Sequence, residues 1–418
     1  MIDIKLLREN PQKIAESAKN KRVIVDINAI LELDKKRSEA QRTVQKLQEE
    51  RNALAKSITG KPTSEQITKG RELKESSEKE HVRLEELDKQ LQEKLGQIPN
   101  LPKLDVKVGK DESENDVIKK YKEPTKFSFT PKDHLELGES LDIIDVKTAG
   151  KVSGPRFNYL KNEGVLLEFA LVQLALEMLI KEGFTPIVPP VLIKESTMKG
   201  LGYMENGGSE DMFHMQHDDL FLVGTAEHSL VPMHMDEILQ KKQLPLKYVG
   251  FSTAFRREAG SYGKDTRGIL RVHQFDKVEM VLLVEDGKDD EAHEYLLSLE
   301  EKLFQLLDIP YQVIKMCTGD LGFPTARKYD IEAWMPGQNK YREVTSASTI
   351  GDFQSRRLHI RYSDGDEKKY VNILNGTAFA VGRTLIAILE NYQQEDGSVV
   401  IPEVLRKTLG KEKISPKK

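Results

Sequence analysis

Apolar residues recur at alternating spacings of four and three along two stretches near the N-terminus, with a few polar residues in the same register. The stripe of the first stretch consists of Leu33, Arg37, Ala40, Val44, Leu47, Arg51, Leu54 and Ile58. The stripe of the second stretch consists of Leu73, Ser77, Glu80, Leu84, Leu87, Leu91, Lys94 and Ile98. This heptad-like pattern is typical of helices that pair along a narrow seam. Each helix would have about 32 residues and a length of about 48 Å.

The segment between the two stripes predicts how the helices are joined. Thr59-Gly60-Lys61-Pro62 has the composition of a turn. Thr63 and Gln66 then form a capping-box pattern, which starts a new helix. The sequence therefore predicts an antiparallel two-helix hairpin over about residues 27–98. Residues 1–25 are predicted to form one short helix, in which Asn10 is the N-cap and Pro11 the first helical residue.

The remainder of the chain differs in its predicted secondary structure, which consists of short strands, glycine-containing turns and few helices. The predicted strands are Leu220–Glu227, Lys247–Glu258, His273–Val284 and Tyr370–Leu374. Leu166–Lys181 is predicted to be a helix, and Lys411–Lys418 a disordered basic tail. Strands and helices do not alternate regularly along this part of the chain, and it has no GxGxxG motif. We therefore expect an α+β fold with a largely antiparallel β-sheet. The predicted domains are a helical arm, 1–107, and a second domain, 108–418.

Composition narrows the class of protein. Among 418 residues, 64 are basic and 68 acidic, so any contact with nucleic acid must come from a local patch. Cys317 is the single cysteine, which excludes an intramolecular disulfide and a cysteine-rich zinc site. The N-terminus lacks the apolar core of a secretory signal, and the longest apolar run contains Glu168 and Glu177. We therefore expect a cytoplasmic protein without a membrane span.

Basic residues on the first helix of the hairpin form a candidate nucleic-acid surface. Arg42, Lys46 and Lys56 belong to an excess of positive charge on that helix. A basic edge on a long helical rod suits a phosphate backbone. The same pattern also describes an ordinary solvated face of a spacer or of a dimerisation coiled coil, and the residues by themselves leave these alternatives open.

Two predicted strands carry charged and aromatic residues that could bind a substrate. Side chains alternate faces along a strand, so Arg271, Phe275 and Glu279 are expected on one face of the later strand, and Arg256 and Glu258 on one face of the earlier one. The intervening loop, 259–270, contains three glycines and the cations Lys264 and Arg267, which suit an anion. A cation, an aromatic ring and a carboxylate in a row fit an aminoacyl-adenylate. An exposed face with ordinary charges is the alternative.

Three segments together resemble the conserved motifs of class II aminoacyl-tRNA synthetases. Gly183–Leu192 resembles motif 1, Phe255–Glu258 with the following Arg271 and Phe275 resembles motif 2, and Gly376–Leu385 resembles motif 3. Within that class the chain is similar to the seryl-tRNA synthetase family. The segments that carry this closer resemblance are Thr225-Ala226-Glu227, Glu258–Ser261, Asp265–Gly268, Arg271–Glu279, Glu343–Ser346, Asp352–Arg357 and Asn375–Thr377. That family also has a long N-terminal coiled-coil arm.

The resemblance implies an enzyme that activates L-serine with ATP and transfers it to tRNA(Ser). Arg256, Arg271 and Arg383 are the implied catalytic residues. The implied ATP-binding residues are Arg256, Glu258, Arg271, Val272, Phe275, Glu343, Ser346 and Arg383. The implied serine-binding residues are Thr225, Glu227, Arg256, Glu279, Asn375 and Thr377. Glu343 and Ser346 would hold Mg²⁺, because that ion takes oxygen ligands together with phosphates.

The resemblance also implies partners. It implies a homodimer, in which the arm of one subunit guides the tRNA to the active site of the other. Arg42, Lys46, Lys56, Lys264 and Arg267 are the expected nucleic-acid contacts, and whether tRNA(Sec) is charged as well stays open. Three alternatives compete: a threonyl or prolyl synthetase, a non-catalytic paralogue and a ligase that charges a carrier protein. The long arm disfavours the first and third, and the intact site residues disfavour the second.

Overall fold

The computed structural model describes residues 1–259, 265 and 267–417, which form two compact units. The first unit is Met1–Pro99, and the second begins at Asn100. The first contains four helices: α1 Ile4–Glu9, α2 Pro11–Asn20, α3 Ile27–Ser57 and α4 Ser64–Gly96. The predicted domain boundary after residue 107 stays a prediction.

The two long helices confirm the predicted hairpin. Gln66 N donates to Thr63 Oγ1 at 3.2 Å, and Thr63 N donates to Gln66 Oε1 at 2.9 Å, so both halves of the predicted capping box are formed. The seam between α3 and α4 includes Ala40, Val44, Leu73 and Leu91, all of which are buried. Arg37 of α3 also pairs with Asp88 of α4 at 2.7 Å. Helix pairing therefore follows the spacing of the apolar residues.

The prediction of one helix over residues 1–25 is wrong. The backbone leaves helical geometry at Asn10, where φ is −136°, and α2 begins at Pro11. Proline has no amide hydrogen to continue the preceding helix but is well suited to a first helical position. Asn10 is the N-cap residue of α2, as predicted, although its side chain makes no capping hydrogen bond.

The second unit contains eighteen strands and nine α-helices within its described residues. The strands are β1 Asp116–Tyr121, β2 Ile144–Asp145, β3 Tyr159–Leu160, β4 Thr185–Ile187, β5 Leu192–Lys194, β6 His214–Met215, β7 Leu220–Leu222, β8 Ile238–Gln240, β9 Leu246–Phe255, β10 Gln274–Val284, β11 Tyr311–Lys315, β12 Arg327–Met335, β13 Lys340–Gly351, β14 Arg361–Asp364, β15 Glu367–Tyr370, β16 Asn372–Ala380, β17 Val399–Val400 and β18 Lys413–Ile414. The helices are α5 His134–Ser140, α6 Val146–Val152, α7 Glu163–Lys181, α8 Glu195–Leu201, α9 Glu227–Leu230, α10 Asp289–Leu306, α11 Phe353–Arg357, α12 Val381–Asn391 and α13 Glu403–Leu409.

An eight-stranded sheet organises this unit, in the order β1-β11-β12-β13-β16-β10-β9-β4. Its neighbours are antiparallel except for the β4–β9 pair, which is parallel. Helix α10 covers one face, where Leu296, Leu303 and Phe304 are fully or almost fully buried. The Phe304 ring lies 5.8 Å from that of Phe379 on β16, edge to face. The opposite face of β10, β13 and β16 is thereby left to carry polar side chains. This arrangement confirms the predicted antiparallel α+β fold.

Several strand ends differ from the sequence prediction. The predicted strand Leu220–Glu227 stops at Leu222, and Glu227 instead begins helix α9. Strand β9 stops at Phe255, and Glu258 adopts a left-handed conformation with φ of 54°. Arg256 and Glu258 therefore do not share a strand face. Arg271 likewise precedes β10, which begins at Gln274.

The same kind of error affects the last predicted strand and the C-terminal tail. The predicted strand Tyr370–Leu374 is interrupted, because β15 ends at Tyr370 and β16 begins at Asn372. The prediction of a disordered tail is wrong for its described residues. Strand β18 pairs with β17, and Lys411 forms an ion pair with Glu163. None of the helices in the described parts of the chain is both long and apolar enough to cross a bilayer.

Candidate active site

One cavity on the open face of the sheet brings together all the residues predicted to bind ATP. It is formed by β10, β13, the start of α12 and the segment after β9. Its lining includes Arg256, Glu258, Arg271, Val272, Phe275, Glu343, Ser346 and Arg383. These residues come from four sequence segments, and the pairing of β10, β16 and β13 makes them neighbours.

Arginine residues in this cavity lie against an aromatic ring and against carboxylates. The Arg256 guanidinium carbon lies 5.5 Å from the centroid of the Phe275 ring. Arg271 donates to Glu258 at 2.9 Å and to Asp265 at 3.2 Å, and Asp265 also contacts Arg342. Burial lowers the pKa of Arg271, but the two carboxylates outweigh burial and raise it. Arg271 is therefore a fixed positive charge at one end of the cavity.

Arg383 and Glu343 join α12 to β13 across the cavity. Arg383 Nη1 donates to the Glu343 carbonyl and to Glu343 Oε2, both at 3.0 Å. Burial raises the pKa of the Glu343 carboxyl, while the charges of Arg383 and Lys328 outweigh burial and hold that pKa well below its usual range. Glu343 is therefore ionised at neutral pH.

The residues predicted to hold magnesium have suitable chemistry. Glu343 and Ser346 lie on the same strand and line the same cavity, and the Glu343 side chain is 40% exposed. No group of three or more His, Cys, Asp or Glu side chains within the described ranges could hold a metal ion. A carboxylate and a hydroxyl would suit Mg²⁺, because that ion commonly uses few protein ligands and completes its shell with phosphates and waters.

A second cavity adjoins the first and contains most of the residues predicted to bind serine. Thr225, Glu227, Glu279 and Asn375 line it. The two cavities share Arg256, Lys277 and Ser346. The Asn375 side-chain nitrogen is buried and has no hydrogen-bond partner among the described residues. An unsatisfied buried donor is costly, so it favours a polar ligand in this cavity.

Thr377 lies at the boundary between the two cavities, in a buried network with Lys277 and Glu279. It lines the first cavity, and its hydroxyl donates to Glu279 Oε2 at 3.0 Å. The Lys277 ammonium lies 2.7 Å from Glu279 Oε2 and 3.3 Å from Thr377 Oγ1. Exposed fractions of 7% for Lys277, 1% for Glu279 and 3% for Thr377 place the whole network out of bulk water. Lys277 thus neutralises a carboxylate that would otherwise be an isolated buried charge.

Glu227 occupies the other side of the second cavity. Its carboxylate accepts hydrogen bonds from Tyr203 Oη at 2.9 and 3.1 Å and from Gln354 Nε2 at 3.1 Å. Burial, together with the charge of Glu279, raises the pKa of Glu227 to about 7. This carboxyl can therefore change its charge near neutral pH.

Sequence reasoning missed Tyr203, Gln354, His228 and Lys277, although each lines the second cavity or contacts a residue that does. Lys277 could have been found, because alternation places it between Phe275 and Glu279 on one strand face. No sequence signal connects Tyr203 or Gln354 to Glu227, since the segments that carry them are far apart in the chain.

The predicted nucleic-acid residues fall into two groups. Arg42, Lys46 and Lys56 lie on α3 of the first unit and are exposed. Arg267 is 65% exposed and lies 3.7 Å from Asp133, outside the two cavities. Lys264 falls outside the described residues.

Two sequence-family models match separate parts of the chain. Residues 1–102 match the seryl-tRNA synthetase N-terminal domain. Residues 212–392 match the tRNA synthetase class II core domain (G, H, P, S and T). Of the residues named above as lining the two cavities, the second match contains all except Tyr203.

Full-length relatives and solved structures give the same assignment. The chain is 47% identical to the serine–tRNA ligase of Dictyoglomus thermophilum and 46% identical to that of Acidothermus cellulolyticus, in each case over 100% of both chains. The seryl-tRNA synthetase of Pyrococcus horikoshii complexed with ATP superposes with a TM-score of 0.94 and 41% identity, covering 100% of both chains. The cytoplasmic serine–tRNA ligase of Naegleria fowleri in complex with AMP superposes with a TM-score of 0.89 and 29% identity, covering 100% of this chain and 99% of that one.

Proposed function

The chain belongs to the seryl-tRNA synthetase family and is an ATP-dependent ligase that joins serine to tRNA, and from this premise we propose how its residues divide the work. The observation that carries the proposal is the pair of adjoining cavities, one lined by the ATP-site residues and the other by the serine-site residues, with Arg256 and Lys277 at their junction. A reaction between a nucleotide and an amino acid needs both substrates to meet at such a junction.

In the first step, the serine carboxylate attacks the α-phosphorus of ATP in line. A bond forms between the carboxylate oxygen and phosphorus, the bond from the α-phosphorus to the bridging oxygen breaks, and pyrophosphate leaves. In the second step, a terminal ribose hydroxyl of the tRNA attacks the seryl carbonyl, and AMP leaves. Neither step needs a nucleophile from the protein. The protein's contribution is therefore positioning of the substrates and neutralisation of their charges.

The ATP-site side chains have roles that suit their chemistry. Arg256 contacts the α-phosphate and the serine carboxylate, because a guanidinium fork matches either set of oxygens. Arg271 holds the terminal phosphate. Phe275 stacks on the adenine and Arg383 covers its other face. Glu258 accepts a hydrogen bond from the adenine amino group, and the Val272 segment completes the adenine site.

Glu343 and Ser346 are the proposed magnesium ligands. Magnesium, when bound, neutralises phosphate charge. The ionised Glu343 carboxylate supplies one oxygen, and its bond to Arg383 orients it on β13. Ser346 supplies the second oxygen.

Serine selection is assigned to Thr225, Glu227, Glu279, Asn375 and Thr377. These side chains present polar groups to the second cavity or to its boundary. Alanine and glycine would leave such groups unpaired, which costs binding energy. Threonine adds only a methyl group, and a methyl group is a weak discriminator. We therefore expect threonine to be activated measurably but much more slowly than serine.

The first unit is the proposed binding site for tRNA(Ser), through Arg42, Lys46 and Lys56. Their exposure on α3 suits contacts with phosphates. Lys264 and Arg267 are proposed to contact the acceptor end. The enzyme is proposed to act in the cytoplasm.

A homodimer is proposed as well. Helix α7 carries Leu166, Phe169 and Ile180 on one face, with exposed fractions of 48%, 59% and 49%. An exposed apolar stripe of this kind supports an interface between subunits. Phe169→Asp should convert a dimer to a monomer in analytical ultracentrifugation, and a wild-type monomer would exclude the proposal.

Exchange of pyrophosphate into ATP without tRNA tests the proposed function. Serine, threonine, alanine and glycine are each supplied separately with magnesium. Strong preference for serine would support the assignment of the second cavity. Comparable exchange with serine and threonine would contradict that assignment, and no exchange with any amino acid, from a folded protein, would contradict the assigned roles altogether.

A further inference from the structure

Tyr203 reaches the second cavity from a segment that no motif marks. It lies two residues after the end of α8 and lines the same cavity as Thr225, Glu227 and Glu279. Its hydroxyl donates toward both oxygens of Glu227, at 2.9 and 3.1 Å. Its ring also contacts the ring of His228, with centroids 4.7 Å apart. Tyr203 therefore contacts two consecutive residues of α9 in different ways.

The backbone on both sides of Tyr203 is held in place. Gly202 has a φ of 81°, which favours glycine, and a side chain there would come within 2.9 Å of Phe353. A Cβ at Gly208 would lie 2.0 Å from the Tyr203 carbonyl oxygen, so only glycine allows this approach. The backbone therefore fixes the position from which the Tyr203 side chain lines the cavity.

Gln354 fixes the same carboxylate from a different element. Its side-chain nitrogen on α11 donates to Glu227 Oε1 at 3.1 Å and to the Leu201 carbonyl at 3.2 Å. One amide group therefore joins Glu227 to the segment that carries Tyr203. The two donors, from Tyr203 and Gln354, together determine the orientation of a carboxylate that is only 3% exposed.

We propose that Tyr203 is a positioning residue for the amino-acid substrate, whose hydroxyl holds the Glu227 carboxylate in the orientation that binds serine. This inference rests on the proposed serine-binding role of Glu227. A hydrogen bond to a charged group contributes more than one between neutral groups, so the loss of this bond should weaken the interactions that serine makes with Glu227.

The charged groups around Glu227 determine how its pKa should respond to the loss of the Tyr203 hydroxyl. Glu279 and Lys277 face it from β10, Arg256 from the segment after β9, and Tyr203 from the segment after α8. Burial and Glu279 raise the pKa of Glu227 to about 7, while the bonds from Gln354 and Tyr203 and the charge of Lys277 lower it. Removing the tyrosine hydroxyl should therefore move the protonation of Glu227 to higher pH.

Two further titratable groups beside Glu227, His228 and Tyr203 itself, do not change charge near neutral pH. Burial, followed by the charges of Arg256 and Lys277, lowers the pKa of His228 to about 3, so its ring stays neutral at physiological pH. Burial and the charge of Glu227 raise the pKa of Tyr203 well above its ordinary value, so its hydroxyl remains a donor. A pH-profile limb near neutral pH that moves in Tyr203→Phe and is absent in Glu227→Gln therefore reports on Glu227.

Tyr203→Phe tests the inference in pyrophosphate exchange with the full-length protein, because it removes the hydroxyl and keeps the ring. The KM for serine should rise about 10-fold or more, while the KM for ATP and kcat at saturating serine stay close to wild type. The acid limb of the pH profile of kcat/KM for serine should also shift to higher pH. Tyr295→Phe is the matched control, since Tyr295 donates to Glu182 at 3.3 Å away from both cavities, and it should change neither quantity.

A serine KM and a pH profile equal to those of wild type in Tyr203→Phe would overturn the inference. Glu227→Gln separates this failure from failure of the proposed function. If Glu227→Gln impairs serine activation and Tyr203→Phe does not, only the role of Tyr203 is wrong. If Glu227→Gln also leaves the serine KM unchanged, the serine-binding role of Glu227 itself is wrong.

Discussion

The Lys277 ammonium lies 2.7 Å from the Glu279 carboxylate, and the two side chains share the face of β10 that lines both cavities. Both are almost completely buried. A buried ion pair contributes little when it is intact, because desolvation offsets its attraction, but the loss of one partner leaves an uncompensated charge. This pair therefore links the stability of the fold to the integrity of the serine site.

Lys277→Met should lower the free energy of unfolding by about 3–5 kcal/mol, because Glu279 would remain buried without a counter-charge. Denaturant unfolding of the purified protein measures the change. The double variant Lys277→Met with Glu279→Gln should recover much of the loss, since the uncompensated charge is then absent. A single variant as stable as wild type, or a double variant less stable than the single one, would contradict this account.

Serine activation should depend on pH through Glu227. Its pKa is raised to about 7 by burial and Glu279, so the carboxyl is protonated and neutral below that pH. As the pH falls through about 7, kcat/KM for serine should fall, because a neutral carboxyl attracts the substrate ammonium less. Pyrophosphate exchange between about pH 5.5 and 8.5 measures the profile. Glu227→Gln should lack this acid limb, and a flat wild-type profile would show that Glu227 does not titrate there.

Phe275→Leu should weaken ATP binding selectively. Stacking of a base on an aromatic side chain is worth about 1–3 kcal/mol, which corresponds to a rise of about 5- to 150-fold in the KM for ATP. The KM for serine should change little. Phe127→Leu is the control, since Phe127 packs on Phe129 and does not line the cavity. An unchanged KM for ATP in Phe275→Leu would contradict the adenine-stacking role.

Gly376→Ala should disturb the serine site from behind the sheet. A Cβ there would lie 2.8 Å from Glu300 Oε1 and 3.3 Å from Met280 Cε, between the pocket residues Asn375 and Thr377. Burial, together with the charge of Glu279, raises the pKa of Glu300 well above its ordinary value, so this buried carboxyl is neutral.

Such overpacking costs about 1–3 kcal/mol, and displacement of β16 should raise the KM for serine. Gly150→Ala on α6 is the matched control, because nothing lies within 4 Å of its added Cβ. Thermal unfolding and pyrophosphate exchange compare the two variants. Equal melting temperatures and equal serine KM values in the two variants would show that the close packing of Glu300 against β16 affects neither stability nor the serine site.

Neutralising the basic edge of α3 should affect tRNA charging alone. The triple variant is Arg42→Gln, Lys46→Gln and Lys56→Gln. In this variant the slope of log binding constant for tRNA against log salt concentration should become shallower by about one for each phosphate that the helix no longer neutralises. Pyrophosphate exchange without tRNA should be unchanged. The control variant replaces Lys69, Lys74 and Lys79 of α4 with glutamine and should charge tRNA normally. Equal loss of charging in both variants would assign the effect to net charge rather than to this edge.

The sequence by itself determined the elements whose signals are local. The apolar spacing and the Thr63–Gln66 capping box predicted the helical hairpin, because helix pairing and capping depend on residues a few positions apart. The motif resemblance identified the eight ATP-site residues, and the structure brings all of them to one cavity. Their roles in catalysis stay predictions until the variants are measured.

Only the tertiary structure decided where strands end and which side chains meet. Strand β9 ends at Phe255; two residues later the Arg257 amide donates to the Asp211 carbonyl, and Glu258 adopts a left-handed conformation, so the chain turns away from β10. Tyr203 and Gln354 converge on Glu227 from segments 24 and 127 residues away. Such contacts follow from the packing of α8, α9 and α11, and no local spacing encodes them. A buried carboxylate must find its hydrogen-bond donors wherever the fold supplies them, and the chain sequence alone does not show where that is.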